Sequence, residues 1–308
     1  MRARFAFVFP GQGSQAVGMG RAWAEEFEVA RRSFEEADEV LGFPLSELCW
    51  QGPEDELQLT ANTQPAILAT SVAIHRVVSD QGLRPVVMAG HSLGEYSALV
   101  AAGSLSFGDA LALVRKRGEL MQQAVPVGEG AMAAIMGLEA EAVAKIAAEA
   151  AGDQECAIAN YNAPIQTVIA GHTGAVERAV TLAKERGARR ALMLPVSAPF
   201  HSPLMRPARE ELAPLLAAVR FADPQVPVVS NIDARPLTAG EAARDALARQ
   251  VDGPVLWVES VRWMVDEMGV ERFLEIGPGN VLSGLIRRIV PGVESSSAAE
   301  PEALGRLL

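Results

Sequence analysis

A serine stands at the centre of the segment Gly90-His91-Ser92-Leu93-Gly94, where the apolar run 86–89 ends and the helix-like stretch 95–100 begins. Glycines two residues away on each side, at a sharp strand-to-helix turn, are typical of a nucleophile elbow, which exposes the serine hydroxyl in a cleft. The N-terminus of the following helix offers an N–H group to a developing oxyanion. The pattern therefore predicts acyl chemistry on Ser92; the alternative is a glycine-rich turn with a capping serine.

A serine nucleophile needs a general base, and the chain has 4 histidines. His75, His91 and His172 are predicted, in that order, to lie on a helix surface, to point away from the serine and to cap a helix. His201 lies in the segment 195–203, where prolines limit backbone freedom and hold an exposed polar side chain in place. His201 is therefore the predicted base. No acidic residue lies close to it in sequence, so a triad acid stays unidentified, and a backbone carbonyl could orient the imidazole instead.

An arginine interrupts the apolar stripe of the next predicted helix, residues 106–125. The stripe contains Ala110, Leu113, Val114 and Met121, and Arg117 takes a position at which the helical period calls for an apolar residue. The paired N–H donors of a buried guanidinium match the two oxygens of a carboxylate. Arg117 is thus predicted to bind a substrate carboxylate; the alternative is a side chain that runs along the apolar face with its charge in water.

The composition disfavours several other classes of protein. The chain has 308 residues, of which 49% are hydrophobic, so we expect two domains or one large domain with an insertion. Cys49 and Cys156 lie far apart, which gives no disulfide framework or metal-ligand spacing and predicts a reducing, cytoplasmic location. The net charge of −11 disfavours nucleic acid as a partner. No segment has the length of a membrane span or signal peptide. We expect no metal site and no membrane partner.

Strand and helix patterns alternate along the chain, which predicts an α/β fold with a parallel sheet. Between 128 and 197 the predicted order changes to βαββαβ, the ferredoxin-like arrangement. We therefore predict a large catalytic subdomain formed by residues 1–127 and 198–308, with a small subdomain, 128–197, inserted into it. The residues from 294 onward are predicted to be a tail. The predicted elements of the large subdomain are strands at 5–9, 86–89, 226–231 and 272–276, and helices at 65–78, 106–125, 203–219, 241–250, 258–268 and 281–290.

The loop after the first strand, residues 10–16, superficially fits the dinucleotide-binding pattern Gly-x-Gly-x-x-Ala. A dinucleotide site is not expected, because the acidic residues about 20 positions further on belong to a polar helical stretch and not to the end of a second strand. The loop leaves the carboxyl end of a strand, so its backbone can reach the same cleft as the elbow. We expect it to supply a second oxyanion donor.

Five segments form a specific pattern that spans the chain. They are FPGQGSQ at 9–15, TQPA at 63–66, GHSLGEYS at 90–97, LVRKRG at 113–118 and EIGPG at 275–279. Together they resemble the malonyl-CoA:acyl carrier protein transacylase family of bacterial fatty-acid synthesis. The resemblance covers essentially the whole chain, including the inserted unit. It implies a large α/β-hydrolase-like subdomain, a small ferredoxin-like subdomain and an active site in the gorge between them.

The resemblance also implies a reaction. Ser92 would take the malonyl group from malonyl-CoA as an ester and pass it to the phosphopantetheine thiol of acyl carrier protein, with His201 as the base. The backbone N–H groups of Gln12 and Leu93 would form the oxyanion hole, and Arg117 would hold the malonyl carboxylate. No cofactor is implied, because malonyl-CoA is a substrate and the phosphopantetheine arm belongs to the carrier.

Two further residues acquire roles only through the resemblance. Gln250 matches a glutamine whose main-chain carbonyl orients the histidine, which would explain the missing acid. Phe200 next to the histidine, together with Leu93 after the serine, looks like the form that selects malonyl over methylmalonyl groups.

Other functions stay open from the residues. A serine hydrolase or thioesterase would share the elbow and the histidine but has no need of the arginine, and a polyketide-type acyltransferase would differ in its carrier and extender unit. A non-catalytic carrier-docking module is disfavoured, because nucleophile, base and arginine are all present. An acidic carrier needs a local basic surface on this acidic chain. The candidates for that surface are Lys184, Arg186, Arg189, Arg190, Arg287 and Arg288.

Overall fold

The computed structural model describes residues 4–196 and 198–307. The strands in this part of the chain are β1 (Phe5–Phe9), β2 (Val87–Gly90), β3 (Gly130–Met136), β4 (Cys156–Ala163), β5 (Gln166–His172), β6 (Arg190–Met193), β7 (Val228–Val229), β8 (Pro236–Leu237), β9 (Arg272–Glu275) and β10 (Glu294–Ser297). The α-helices are α1 (Arg21–Glu26), α2 (Glu28–Leu41), α3 (Leu45–Gln51), α4 (Glu54–Gln58), α5 (Thr60–Asp80), α6 (Gly94–Ala101), α7 (Phe107–Gln123), α8 (Ala140–Ala151), α9 (Thr173–Glu185), α10 (Arg206–Ala218), α11 (Gly240–Gln250), α12 (Trp257–Asp266), α13 (Val281–Ile289) and α14 (Leu304–Leu307).

The larger sheet has the strand order β10-β9-β1-β2-β7-β8, in which only the β7–β8 pair is antiparallel among the described strands. Its central strand β1 is apolar throughout, as expected for a parallel strand with both faces covered. Phe7 and Phe9 pack into the core that contains residues of α5, α6 and α7, whereas Ala6 and Val8 face residues of α12 and α13. The predicted α/β fold with a parallel sheet is confirmed.

The smaller sheet is antiparallel, with the strand order β4-β5-β3-β6. Its elements follow the chain as β3, α8, β4, β5, α9 and β6, which confirms the predicted βαββαβ order. One core, formed by apolar residues of these strands and of both helices, holds it together. The subdomain boundaries after residues 127 and 197 stay a prediction, and Ser197 itself lies outside the described residues.

Backbone hydrogen bonds join the small sheet to the loop between α11 and α12. Strand β4 forms an isolated parallel bridge between Asn160 and Val255. The N–H of Tyr161 donates to the carbonyl of Val255 over 2.9 Å, and the N–H of Val255 donates to the carbonyl of Ala159 over 2.8 Å. The loop that follows α11 is therefore held on one side by the small sheet.

Helix α5 begins at Thr60, earlier than the predicted start at residue 65, so Pro65 lies inside the helix. A proline there leaves the carbonyl four residues earlier, that of Ala61, without its helical donor. The Nη1 of Arg115 donates to this carbonyl over 3.0 Å. A side chain from α7 thus supplies the missing donor, which the local sequence could not indicate.

Two predictions about strands of the larger sheet need correction. The predicted tail contains β10, which pairs in parallel with β9, and Ala298 after it is fully buried. The serines of β10 look solvent-exposed from composition, but this strand lies at a sheet edge, where partly exposed polar residues are tolerated. The strand predicted over 226–231 is limited to β7.

Within the described ranges, no helix is both long and apolar enough to cross a membrane.

Candidate active site

Ser92 occupies a strained turn between β2 and α6. Its φ is 52°, in the left-handed region that is unfavourable for a residue with a side chain. Gly90 and Gly94 make the turn possible: a Cβ on Gly90 would lie 1.9 Å from the carbonyl oxygen of Gly94, and a Cβ on Gly94 would lie 2.1 Å from the carbonyl oxygen of Phe9. The geometry is that of the predicted elbow.

His201 contacts the serine directly. The Nε2 of His201 lies 2.7 Å from the Oγ of Ser92, although the two residues are far apart in sequence. The Nδ1 lies 2.9 Å from the carbonyl oxygen of Gln250 and 3.1 Å from that of Gly253. Because both carbonyls can only accept, Nδ1 carries the proton and Nε2 is left to accept from the serine hydroxyl. His201 also has a left-handed φ, 59°.

Arg117 reaches the same hydroxyl from α7. Its Nη2 lies 3.1 Å from the Oγ of Ser92, and the side chain is almost fully buried, with 2% of the residue exposed. Two glutamine oxygens hold the guanidinium: Oε1 of Gln64 accepts from Nη1 over 2.7 Å, and Oε1 of Gln250 accepts from Nη2 over 2.8 Å. The expected burial of a guanidinium in the apolar stripe is therefore observed, and the charge does not extend into water.

The electrostatics of the site keep the imidazole neutral. Burial, and next the positive charge of Arg117, lower the pKa of His201 to about 3. A neutral imidazole with a free Nε2 lone pair can accept a proton from Ser92. Burial likewise raises the pKa of Glu95 to about 7, against the hydrogen bonds from Gln250 and Asn231 that favour its charged form.

A cavity of about 130 Å³ contains these groups. It is lined by Ser92, His201 and Arg117 and by the remaining predicted site residues Gln12, Leu93 and Phe200. In the described part of the chain, the backbone N–H groups of Gln12 and Leu93 have no hydrogen-bond acceptor. Gln250 contacts the site from behind through both its carbonyl and its side chain. All predicted site residues thus lie together.

Comparisons with known proteins show the family of this chain. The sequence model of the family described as "Acyl transferase domain" matches residues 6–306. The chain belongs to this family. It is 52% identical to the malonyl CoA-acyl carrier protein transacylase of Escherichia coli (strain K12), over 99% of each chain.

Solved structures of similar proteins include two informative neighbours. An acyl carrier protein S-malonyltransferase from Vibrio cholerae has a TM-score of 0.97 and 52% identity, with 99% of this chain and 100% of that chain covered. PlMCAT, a malonyl-transacylase in complex with the type II PKS acyl-carrier protein AntF, has a TM-score of 0.97 and 49% identity, with 99% of each chain covered.

The acyl transferase site also contains residues that sequence reasoning missed. Asn231 supports the elbow: its Oδ1 accepts from the N–H of Ser92 and its Nδ2 donates to the carbonyl of Gly90, both over 2.6 Å. Gln64 and Glu95 lie within the family-like segments 63–66 and 90–97. Those segments indicated that both residues lie near the site but not which side chains they contact. Asn231 had no local signal, since it lies 139 residues from Ser92.

Among the described residues, the side chains of the other three histidines of the acyl transferase form their hydrogen bonds with groups other than Ser92. His91 points away, as predicted, and its Nε2 lies 2.8 Å from the Oδ1 of Asn162 in the small sheet. His75 lies on α5 as predicted but is half-buried, and its ring packs edge-on to the rings of Phe7 and Phe9. His172 stands at the N-cap position of α9, but its side chain makes no capping bond and its Nδ1 accepts from the N–H of Glu155.

Proposed function

We propose that this acyl transferase moves a malonyl group from malonyl-CoA to the phosphopantetheine thiol of acyl carrier protein, through a malonyl ester of Ser92. The observation that carries the proposal is the 3.1 Å contact between the guanidinium of Arg117 and the hydroxyl of Ser92. A carboxylate receptor beside the nucleophile fits an acyl group that ends in a carboxylate. A neutral acyl group has no carboxylate that this guanidinium could bind.

In the first half-reaction, the Oγ of Ser92 attacks the thioester carbonyl carbon of malonyl-CoA while the Nε2 of His201 takes the hydroxyl proton. The negative charge that develops on the carbonyl oxygen is stabilised by the backbone N–H groups of Gln12 and Leu93. The carbon–sulfur bond then breaks, and His201 returns the proton to the coenzyme A thiolate. The malonyl carboxylate is held by Arg117 throughout.

The second half-reaction reverses these roles with a different thiol. His201 takes the proton of the carrier's phosphopantetheine thiol, and the sulfur attacks the ester carbon. The bond to the Oγ of Ser92 breaks, and the serine recovers its proton from His201. Neither half-reaction changes an oxidation state, and the complete cycle returns Ser92 and His201 to their starting forms, so the cycle requires no cofactor.

Two further roles belong to this proposal. The carbonyl oxygens of Gln250 and Gly253 orient the imidazole in place of a triad acid. Phe200, which lines the cavity next to His201, limits the space beside the α-carbon and so favours malonyl over its methyl-branched analogue. We place the enzyme in the cytoplasm, where its two cysteines, both free and buried, would stay reduced.

Intact-mass measurement tests the proposal. The protein mixed with malonyl-CoA should gain one malonyl group, and addition of holo acyl carrier protein should move that group to the carrier. Ser92→Ala should gain none while keeping its fold, because only a hydroxyl at the elbow can form the ester. A malonyl adduct that persists on Ser92→Ala would overturn the assignment, and release of free malonate without a carrier would indicate a hydrolase.

A further inference from the structure

Glu95 is a fully buried carboxyl in the first turn of α6, with 0% of the residue exposed. One of its oxygens does all the hydrogen bonding within the described residues. Its Oε2 accepts from the Nε2 of Gln250 over 2.7 Å and from the backbone N–H of Asn231 over 3.1 Å. The reaction steps described above make no use of this carboxyl.

The hydrogen bond between Glu95 and Gln250 fixes the orientation of the side-chain amide of Gln250. The Nε2 of Gln250 donates to Oε2 of Glu95 and, over 2.9 Å, to the carbonyl oxygen of Ser92. With its nitrogen placed between two acceptors, the amide must turn its oxygen to the opposite side. There the oxygen accepts from the Nη2 of Arg117. The reverse orientation would set an NH₂ group against the guanidinium, donor against donor.

We propose that Glu95 is a positioning residue that sets Arg117 for the malonyl carboxylate through the side chain of Gln250. The proposal rests on the proposed function and adds a determinant of acyl-group selection to it. Glu95 acts as a hydrogen-bond acceptor. Glutamine at this position therefore replaces it, because its amide oxygen can accept the same two N–H groups, whereas a residue without an acceptor cannot.

A structural residue and a positioning residue differ in what they change. Loss of elbow geometry slows transfer of every acyl group, because Ser92 and His201 serve them all. Loss of guanidinium placement slows transfer of acyl groups with a carboxylate most, because they lose a charged contact in addition to the contact between Arg117 and the Ser92 hydroxyl. The ratio of kcat/KM for loading Ser92 from malonyl-CoA to that from acetyl-CoA separates the two effects and is independent of the fraction of active protein.

Four variants test the proposal by this ratio. Glu95→Met removes the acceptor at similar volume, and we expect the malonyl-to-acetyl ratio to fall about tenfold, the size of one hydrogen bond. Glu95→Gln should keep the ratio within about twofold of the parent. Gln250→Met breaks the same chain one residue nearer to Arg117 and should lower the ratio at least as much. In an Arg117→Ala background, Glu95→Met should change the ratio no further.

Glu275→Met is the matched control. Glu275 is also fully buried, and its carboxylate accepts from the N–H groups of Leu282 over 3.0 Å and Ser283 over 2.7 Å, away from Arg117. Its replacement should lower stability and leave the ratio unchanged.

The proposal is overturned if Glu95→Met keeps the parental ratio, if Glu275→Met lowers the ratio equally, or if the fall persists without Arg117. If Glu95→Met does not fold, an unchanged ratio in Gln250→Met overturns it instead. Failure of the proposed function looks different, because the parent protein would then form no malonyl ester or show no preference for malonyl-CoA.

Discussion

The guanidinium of Arg117 donates a hydrogen bond to the hydroxyl of Ser92 over 3.1 Å. The same hydroxyl lies 2.7 Å from the Nε2 of His201, so it accepts from a cation and donates to a neutral base. This pair of contacts favours removal of the proton from the Ser92 hydroxyl, because the cation stabilises the alkoxide and the imidazole can take the proton. One side chain can therefore both prepare the nucleophile and bind the far end of the acyl group.

Replacement of Arg117 should change which acyl group is transferred. A hydrogen bond to a charged group contributes about 1.5 to 3 kcal/mol, so Arg117→Ala should slow malonyl loading roughly 10- to 150-fold. Acetyl loading should survive better, because the acetyl group has no carboxylate to bind. Single-turnover loading from each thioester measures both rates.

Lys116→Ala is the control for this change. Lys116 lies on the same helix but is exposed and paired with Glu119, so its loss should leave both rates unchanged. Equal losses of malonyl and acetyl loading in Arg117→Ala would mean that the arginine acts on Ser92 or on the fold of the site and does not bind the malonyl carboxylate.

The low pKa of His201, about 3, predicts the pH dependence of loading. A histidine with the ordinary pKa of about 6.5 would be only about 10% neutral at pH 5.5, and loading would fall about tenfold between pH 7.5 and 5.5. A pKa near 3 keeps the base neutral over this whole range. Acetyl loading, which avoids titration of the substrate carboxylate, should therefore change less than about twofold.

Circular dichroism at each pH is the control that checks whether the fold is retained during these measurements. An acid limb with its midpoint near 6.5 would contradict a buried, neutral imidazole. His201→Ala should reduce loading by about a thousandfold or more at every pH, as expected for removal of the base in a serine enzyme.

The sequence indicated which residues meet at the candidate site because these residues lie in local patterns. The glycines around Ser92, the prolines around His201 and the period of α7 around Arg117 are all visible within a few residues. The alternating elements and the βαββαβ unit followed from hydrophobic periodicity for the same reason.

Residues that act at long range could not be predicted in this way. Asn231 has no pattern around it that indicates a bond to Ser92, and the role of Glu95 depends on Gln250, which lies 155 residues away. The early start of α5 depends on Arg115 of another helix, and β10 is a strand because β9 offers an edge. Each of these depends on tertiary contacts that override local propensity.

Asn231 should be needed for the elbow itself. Its side chain satisfies both the N–H of Ser92 and the carbonyl of Gly90, and it holds a residue with a left-handed φ of 52°. Asn231→Ala leaves these groups buried without a partner, so the free energy of unfolding should fall by about 1 to 3 kcal/mol or more. Loading should slow by a similar factor for malonyl and acetyl groups. Urea unfolding and single-turnover loading measure the two effects; a selective loss of malonyl loading would place Asn231 with Arg117 instead.

The carrier should dock on an exposed basic patch formed by Arg189 and Arg190. Neither residue takes part in an ion pair or side-chain hydrogen bond with the described residues, whereas Arg186 pairs with Glu149 over 2.5 Å. Arg190 begins β6, and Leu194, four residues on and therefore about 13 Å away in an extended strand, lines the cavity. A chain with a net charge of −11 needs such a patch to attract an acidic carrier.

Reversal of both charges should act on the carrier half-reaction alone. Arg189→Glu/Arg190→Glu should raise the apparent KM for the carrier, more at low salt than at high salt, because salt screens surface charges. Malonyl loading from coenzyme A should stay nearly unchanged. Arg31→Glu/Arg32→Glu, an equal change of net charge on the exposed face of α2, should leave the carrier KM much less affected. Equal effects of the two double variants would mean that the carrier responds to the net charge of the enzyme and not to a local patch. If reversal at Arg189 and Arg190 has no effect, and the same change at Arg287 and Arg288 has none either, the carrier docks on neither basic surface.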